Sequence, residues 1–348
     1  MSSAFGIHSL IRTANVKDYF ATDEEFVDVY NKATNTKDKV LIAVIDEGVH
    51  KDVGLPDTPK EGYLSARCVS HSVSSGIAEF NEKQISHGTR VAAISVWGDP
   101  CLKLLDYRVR TQAALGSIGA REPEKEVPLV KKAMEDAIKA GASVIVSALA
   151  TENKSKVYKD NGVDKLMKDN PDVLFVFGAG NNGRDLDSYD VCPAGLGPMD
   201  NMVVVGGCSE TFETTASPDT GGSDIEFGYG AKTVDVASYA DNLALYDPGL
   251  RYVYSMQAKV DISKVPMLLA GDTGVSFAIP QVANVCAKML AINSHLKPKD
   301  VKYLIRATGT VERKNLDEAN ITKGTILPNA CYLAAVKYEP EPPKSGKK

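Results

Sequence analysis

The sequence predicts an α/β fold, with a mostly parallel central sheet and helices on both faces. Two observations carry that expectation. Short β-branched runs, "VLIAVI", "SVIVS", "VLFVF" and "MVVV", recur along the chain and alternate with helical patterns. The runs are apolar at both odd and even positions, as strands buried on both faces must be.

Taken in order, residues 1–38 form a polar, charged N-terminal extension. Within it, "TDEEFVDVYNKAT" places Thr22 and Glu25 at capping-box spacing and predicts one short helix. "KVLIAVID" (39–46) is the first strand, "HGTRVAAISVWG" (87–98) a helix and "LKLLDYRV" (102–109) a strand. "EVPLVKKAMEDAIKAG" (126–141) is an amphipathic helix stopped by glycine, and "ASVIVSAL" (142–149) a further buried strand. "VYKDNGVDKLMKDN" (157–170) contains a short helix. "DVLFVFGAGNNG" (172–183), "NMVVVGG" (201–207) and "KTVDVAS" (232–238) supply three more strands. Helices at 276–292, 298–307 and about 329–337 complete a domain spanning 39–337. Residues 338–348 are a disordered tail by composition, and no internal repeat is visible.

Bulk properties exclude several classes. The 348-residue chain is 43% hydrophobic and 24% charged, with a net charge of −5 and no basic run before the final "KSGKK", so no nucleic-acid footprint is expected. Apolar runs such as "VLIAVI" are too short to span a bilayer, and the N-terminus lacks a basic segment followed by an apolar one. A cytoplasmic protein without membrane attachment is the expectation. Cys68, Cys101, Cys192, Cys208, Cys286 and Cys331 show no C-x-x-C spacing and read as reduced, mostly buried thiols.

In parallel sheets, chemistry collects beyond the carboxyl ends of the strands. Asp46 ends the first strand, Asn181 follows a later one, and His87 and Ser276 open helices. Serine at a helix start is ordinarily a cap. Serine is also a nucleophile when a histidine base removes its proton, a carboxylate orients that histidine and a preorganised donor holds the oxyanion. Asp46, His87, Asn181 and Ser276 supply one group for each task.

The local motifs carry a family resemblance. "VLIAVIDEGV" resembles the Asp motif of the subtilisin-like serine proteases, "HGTRVA" their His motif, "GAGNNG" their oxyanion Asn motif and "GVSFAIPQVA" their Ser motif. The four stand in the family's order, Asp, His, Asn, Ser, and the similarity extends over roughly residues 39–337. The resemblance implies a subtilisin-like three-layer fold, with Asp46, His87 and Ser276 catalytic and Asn181 in the oxyanion hole. It places Ala148, Leu149 and Ala150 on one wall of the first specificity pocket and Gly178 on the other. It implies a peptide or protein substrate and, for this chain, no cofactor and no metal. The stretch after the His helix lacks the Asn- and Gly-rich loop that binds calcium in many relatives, and Asp219 and Asp224 in "SPDTGGSD" read as a solvated loop. "ALGSIG" (114–119) is a candidate edge strand for pairing with an extended peptide.

Several positions depart from the family pattern. Glu47 replaces a small hydroxyl residue after Asp46. It would raise the His87 pKa if it faced the site, and strand alternation favours solvent instead. Val275 replaces a threonine, removing one potential oxyanion donor. Arg90 and Gln281 replace frequent histidines and read as peripheral. The extension 1–38 is expected to pack on the domain or to cover the cleft. Two functions follow: an active serine endopeptidase, serving general turnover or dedicated to one peptide or protein, or a catalytically silent protein of this fold that binds an extended peptide or partner. Oligomeric state is not encoded in any of these features.

Overall fold

The computed structural model describes residues 23–49, 68–73, 87–97, 101–109, 123–208, 226–241, 243–246, 254–261, 269–309, 326 and 328–339. The candidate edge strand 114–119, the "SPDTGGSD" loop and residues 1–22 and 340–348 lie outside them.

Seven strands form one sheet in the order β2-β3-β1-β4-β6-β8-β9. They are β1 (Val40–Asp46), β2 (Cys68–Val73), β3 (Leu102–Arg108), β4 (Val144–Ser147), β6 (Leu174–Gly178), β8 (Met202–Cys208) and β9 (Val236–Tyr239). Every neighbouring pair is parallel. Two small antiparallel pairs stand outside it: β5 (Thr151–Glu152) with β7 (Val191–Cys192), and β10 (Leu243–Tyr246) with β11 (Leu269–Asp272). Strands β2, β5, β7, β10 and β11 have no counterpart among the sequence-based expectations. "CVSHSV" mixes polar residues into an edge strand, and the others are only two to four residues long.

Helices among the described residues include α1 (Asp23–Lys32), α2 (His87–Ser95), α3 (Pro123–Lys139), α4 (Ser155–Asp160), α5 (Val163–Asp169), α6 (Val275–Ile292), α7 (Pro298–Thr308) and α8 (Pro328–Lys337). The single short helix expected in 157–170 is two, parted by Gly162 at φ +71°. Alternate strand residues feed two cores. Ile42, Val44, Leu104, Val146, Val176 and Val205 pack against α2 and α6 on one face. Ala43, Ile45, Leu105, Ile145, Phe175 and Val204 pack against α3, α4 and α5 on the other. This is why the strands read as continuous apolar runs.

Helix α6 is long and apolar enough, by length and composition, to cross a membrane, which the shorter runs singled out in the sequence are not. It is instead the central helix of one core, with 94% of its 18-residue window buried inside the protein. Cys101, Cys192, Cys208, Cys286 and Cys331 are buried thiols outside any disulfide, in keeping with the absence of paired spacing.

Part of the N-terminal extension belongs to this core. Phe26 of α1 is fully buried, its ring 5.5 Å from Tyr30, 5.6 Å from Tyr332 of α8 and 5.1 Å from the Lys288 ammonium of α6. The Lys37 N–H donates to the Ala291 carbonyl at 2.8 Å, and Ser294 N–H to the Asn35 carbonyl at 2.7 Å. These contacts lie at the C-terminal end of α6, about 22 Å along the helix from Ser276 at 1.5 Å per residue.

From β1 the chain moves outward to β2 and β3, then crosses to β4, β6, β8 and β9 on the other side. The order therefore reverses beside β1 and β4, and the crevice at their carboxyl ends is the expected binding position.

Candidate active site

Strand β1 ends on Asp46, and Gly48 at φ +105° turns the chain off the sheet. The Gly48 carbonyl oxygen lies 2.3 Å from where a Cβ on Gly88 would stand, so any side chain at Gly88 would force this turn and α2 apart. That close approach brings His87 to Asp46. His87 Nδ1 lies 2.9 Å from Asp46 Oδ1, across 41 residues of sequence. An ionised carboxylate only accepts, so the shared proton sits on Nδ1 and leaves Nε2 as an acceptor. Asp46 is buried, while His87 keeps 25% of its side chain exposed. Asp46 Oδ1 also accepts the Glu47 N–H at 2.7 Å.

Glu47 does not face solvent. It is 2% exposed, and its Oε1 accepts the His87 backbone N–H at 2.8 Å, with a second backbone hydrogen bond from Gly88. Strand alternation fails here because Glu47 lies beyond the end of β1, where the chain is already turning. Its side chain serves the open N-terminus of α2, whose first N–H groups lack helical acceptors. Burial, then the neighbouring Asp46 charge, pushes the Glu47 carboxyl above the usual range, against the opposing pull of His87 and the two backbone donors.

For His87 the strongest influence is burial, which disfavours the imidazolium. The charge and hydrogen bond of Asp46, with the charge of Glu47, outweigh it together with the smaller opposing effect of Arg90, and raise the pKa. Arg90 is not peripheral either. It is buried one turn along α2, donates from Nη1 to Asp272 Oδ2 at 2.6 Å and lies over the Phe277 ring at 5.4 Å. Gln281 is likewise buried: its amide donates to the Tyr239 and Phe277 carbonyls, both at 2.9 Å, and accepts from Ser238 Oγ at 2.6 Å.

Ser276 is the second residue of α6. Among the described residues no hydrogen bond joins it to His87. The two segments meet through Phe277, whose ring centroid lies 5.7 Å from the imidazole. Such pairs are commonly loose without substrate. Asn181, three residues past β6, accepts the Val275 N–H through Oδ1 at 2.9 Å. This bond fixes the amide and leaves Nδ2 as the donor pointing elsewhere. Asn181 Nδ2 and the Ser276 backbone nitrogen stand 3.5 and 3.9 Å from the point where a Cβ on Gly274 would lie, so both border space that glycine leaves open. Val275 turns its side chain towards Gly178, with Cγ1 2.8 Å from a Cβ built there, and contributes only its backbone to this edge.

A cavity of about 540 Å³ opens beside these groups. Ala148, Leu149, Ala150 and Gly178 line it together with Asn181 and Ser276. Strands β4 and β6, adjacent in the sheet, bring those segments to one rim. Gly178 has to be small, since Ile279 Cδ1 lies 2.6 Å from a Cβ there. His87 and Asp46 are not among the lining residues. A polar part of the wall was not anticipated: Glu152, Asn182 and Arg184 also line the cavity. Glu152 accepts from Asn182 and from the Tyr189 hydroxyl, the latter at 2.8 Å, and the Arg184 guanidinium lies 4.8 Å from the Tyr189 ring centroid. Asn182 is part of the "GAGNNG" motif, but its pairing with an acid 30 residues earlier carries no sequence signal. Among the described residues no group of three or more His, Cys, Asp or Glu side chains is arranged to hold a metal ion.

The profile of the subtilase family matches residues 37–324. The chain belongs to the subtilase family. No curated protein sequence matches it. Solved structures similar to this subtilase include the prenylagaramide maturation protease PagA, at 17% identity and a TM-score of 0.60, covering 89% of this chain and 98% of that one. The A-subunit of the AB5 toxin from E. coli is similar at 17% identity and a TM-score of 0.64, covering 92% and 99%. The epidermin leader peptide processing protease EpiP from Staphylococcus aureus is similar at 18% identity and a TM-score of 0.60, covering 90% and 79%. At these identities the likeness is one of fold. Within the subtilase, α1 precedes the matched region and α8 follows it, yet both pack on α6. Membership in this peptidase family implies a peptide or protein substrate.

Proposed function

We propose that this subtilase is an active serine endopeptidase. The observation that carries the reading is the 2.9 Å contact of His87 Nδ1 with Asp46 Oδ1, which leaves Nε2 available to a nucleophile. Ser276 Oγ attacks the scissile carbonyl while His87 Nε2 takes its proton. Asp46 holds the ring and balances the imidazolium. The oxyanion is held by Asn181 Nδ2 and the Ser276 N–H, both donors bordering the space at Gly274. His87 then protonates the leaving amine, and water hydrolyses the acyl-enzyme by the same steps in reverse. Ala148, Leu149, Ala150 and Gly178 bind the substrate residue before the cleaved bond. These small or apolar walls, with Glu152 and Arg184 at the same cavity, suit a side chain with an apolar stem.

The test is labelling with a fluorophosphonate probe. The parent chain is expected to label and Ser276→Ala not to. Asn181→Ala is expected to lower kcat by about 10²–10³-fold, the effect of deleting such a donor in subtilisin. Absence of label on the folded parent would favour the silent peptide-binding reading.

A further inference from the structure

Glu47 is a buried acid that the proposed chemistry does not use, next to a group that it does. We infer that Glu47 is a positioning residue for His87, holding the start of α2 through its carboxylate and placing a second negative charge beside the imidazole. The inference rests on the endopeptidase reading for its consequence in catalysis, but not for its geometry.

Two sets of contacts carry it. Glu47 accepts the backbone N–H of His87 itself at 2.8 Å and a further hydrogen bond from Gly88, so the residue that bears the imidazole is tied to the β1 turn at its own main chain. Asp46 meanwhile holds the same residue by the ring. His87 is thus gripped twice from adjacent positions, once at each end, and the Gly48–Gly88 contact leaves no slack between the two segments. A serine or threonine after Asp46 is two bonds shorter and has no charge, so it would provide neither the same reach nor the same field.

The charges around the site complete the argument. From the β1 segment Asp46 and Glu47 face His87, and the charge of each favours its imidazolium. From α2 Arg90 opposes them, and its guanidinium is itself paired with Asp272 at the end of β11. From α6 the facing group is Phe277, which is uncharged. From β3 the side chain of Arg108 runs past Gly48, its Cδ 3.1 Å from a Cβ built there. Glu47 therefore acts on His87 in the same direction as Asp46, stabilising the imidazolium.

The experiment compares the full chain with Glu47→Gln and Glu47→Ala. The His87 titration is followed by NMR, its signal among the five histidines identified by its loss in His87→Gln. Glu47→Gln keeps an acceptor for the backbone but removes the charge. Its His87 pKa is expected to fall by about 0.5–1 unit, less than the 1–3 units of a directly contacting charge. Fluorophosphonate labelling at the alkaline plateau is expected to stay within about threefold of the parent for Glu47→Gln and to fall about tenfold or more for Glu47→Ala. An unmoved His87 pKa in Glu47→Gln would overturn the charge coupling, and a parental plateau in folded Glu47→Ala would overturn the positioning. If Glu47→Ala does not fold, the Glu47→Gln titration decides alone. A parent that never labels would sink the endopeptidase reading while the NMR titration still tests this one.

Discussion

At the scale of single residues, His87 sits between opposed influences, and their balance has a measurable consequence. Burial disfavours its imidazolium, but Asp46 and Glu47 together raise its pKa above the ordinary histidine value. In the proposed mechanism an imidazolium could not take the Ser276 proton, so a raised pKa would keep that base blocked to a higher pH. The acid limb of kcat/KM is expected above the value of free histidine, and a limb below it would contradict the account. Arg90 works the other way, so Arg90→Gln is expected to move the limb further up by a few tenths of a unit, opposite in sign to the effect of Glu47→Gln. Of these groups, the pairing of Asp46 with His87 was legible because a carboxylate at a strand end and a histidine at a helix start stand in familiar motifs. Glu47 was misread because alternation was extended one residue past the strand. Arg90 was misread because its partner Asp272 stands 182 residues away and belongs to a strand too short to announce itself.

At the scale of elements, helices are docked by buried polar ties as well as by apolar faces. Asp235, 1% exposed just before β9, accepts the Val204 N–H at 2.9 Å and pairs with Lys302 and Arg306 of α7, each at 3.2 Å. Burial pushes its carboxyl upward even against those two cations. Asp235→Ala is expected to destabilise the protein by about 2–3 kcal/mol in chemical denaturation. That is below the 3–5 kcal/mol of a fully buried pair because Arg306 is a third exposed and water can replace its partner. Gly178→Ala is expected to cost about 1–3 kcal/mol, since its new methyl would meet Ile279 and Val275 and push the start of α6 off β6. The principal strands and helices of the domain were readable from periodicity, because burial on two faces or one leaves a distinct pattern. The short antiparallel pairs were not, because two to four residues carry no period.

At the scale of the whole molecule, α6 joins the site to the flanking helices α1 and α8. Its first turn carries Ser276, and its last turns are held by α1 and α8. Sequence reading allowed residues 1–38 either to pack on the domain or to cover the cleft. The described part, 23–38, packs far from Ser276, and nothing in its composition revealed which side it would take. Phe26→Ala is expected to remove about 3–5 kcal/mol, seen as a lowered thermal midpoint, while the labelling rate of molecules that remain folded stays unchanged. A slowed rate in fully folded protein would mean that α1 influences the nucleophile directly. Because α8 lies beyond the family match and still closes the core around α6, a ribosome-bound chain with Ser276 already outside would lack the support that sets the helix in place. On the endopeptidase reading proposed above, the helix that carries Ser276 would gain its full support only once α8 has left the ribosome and packed against it.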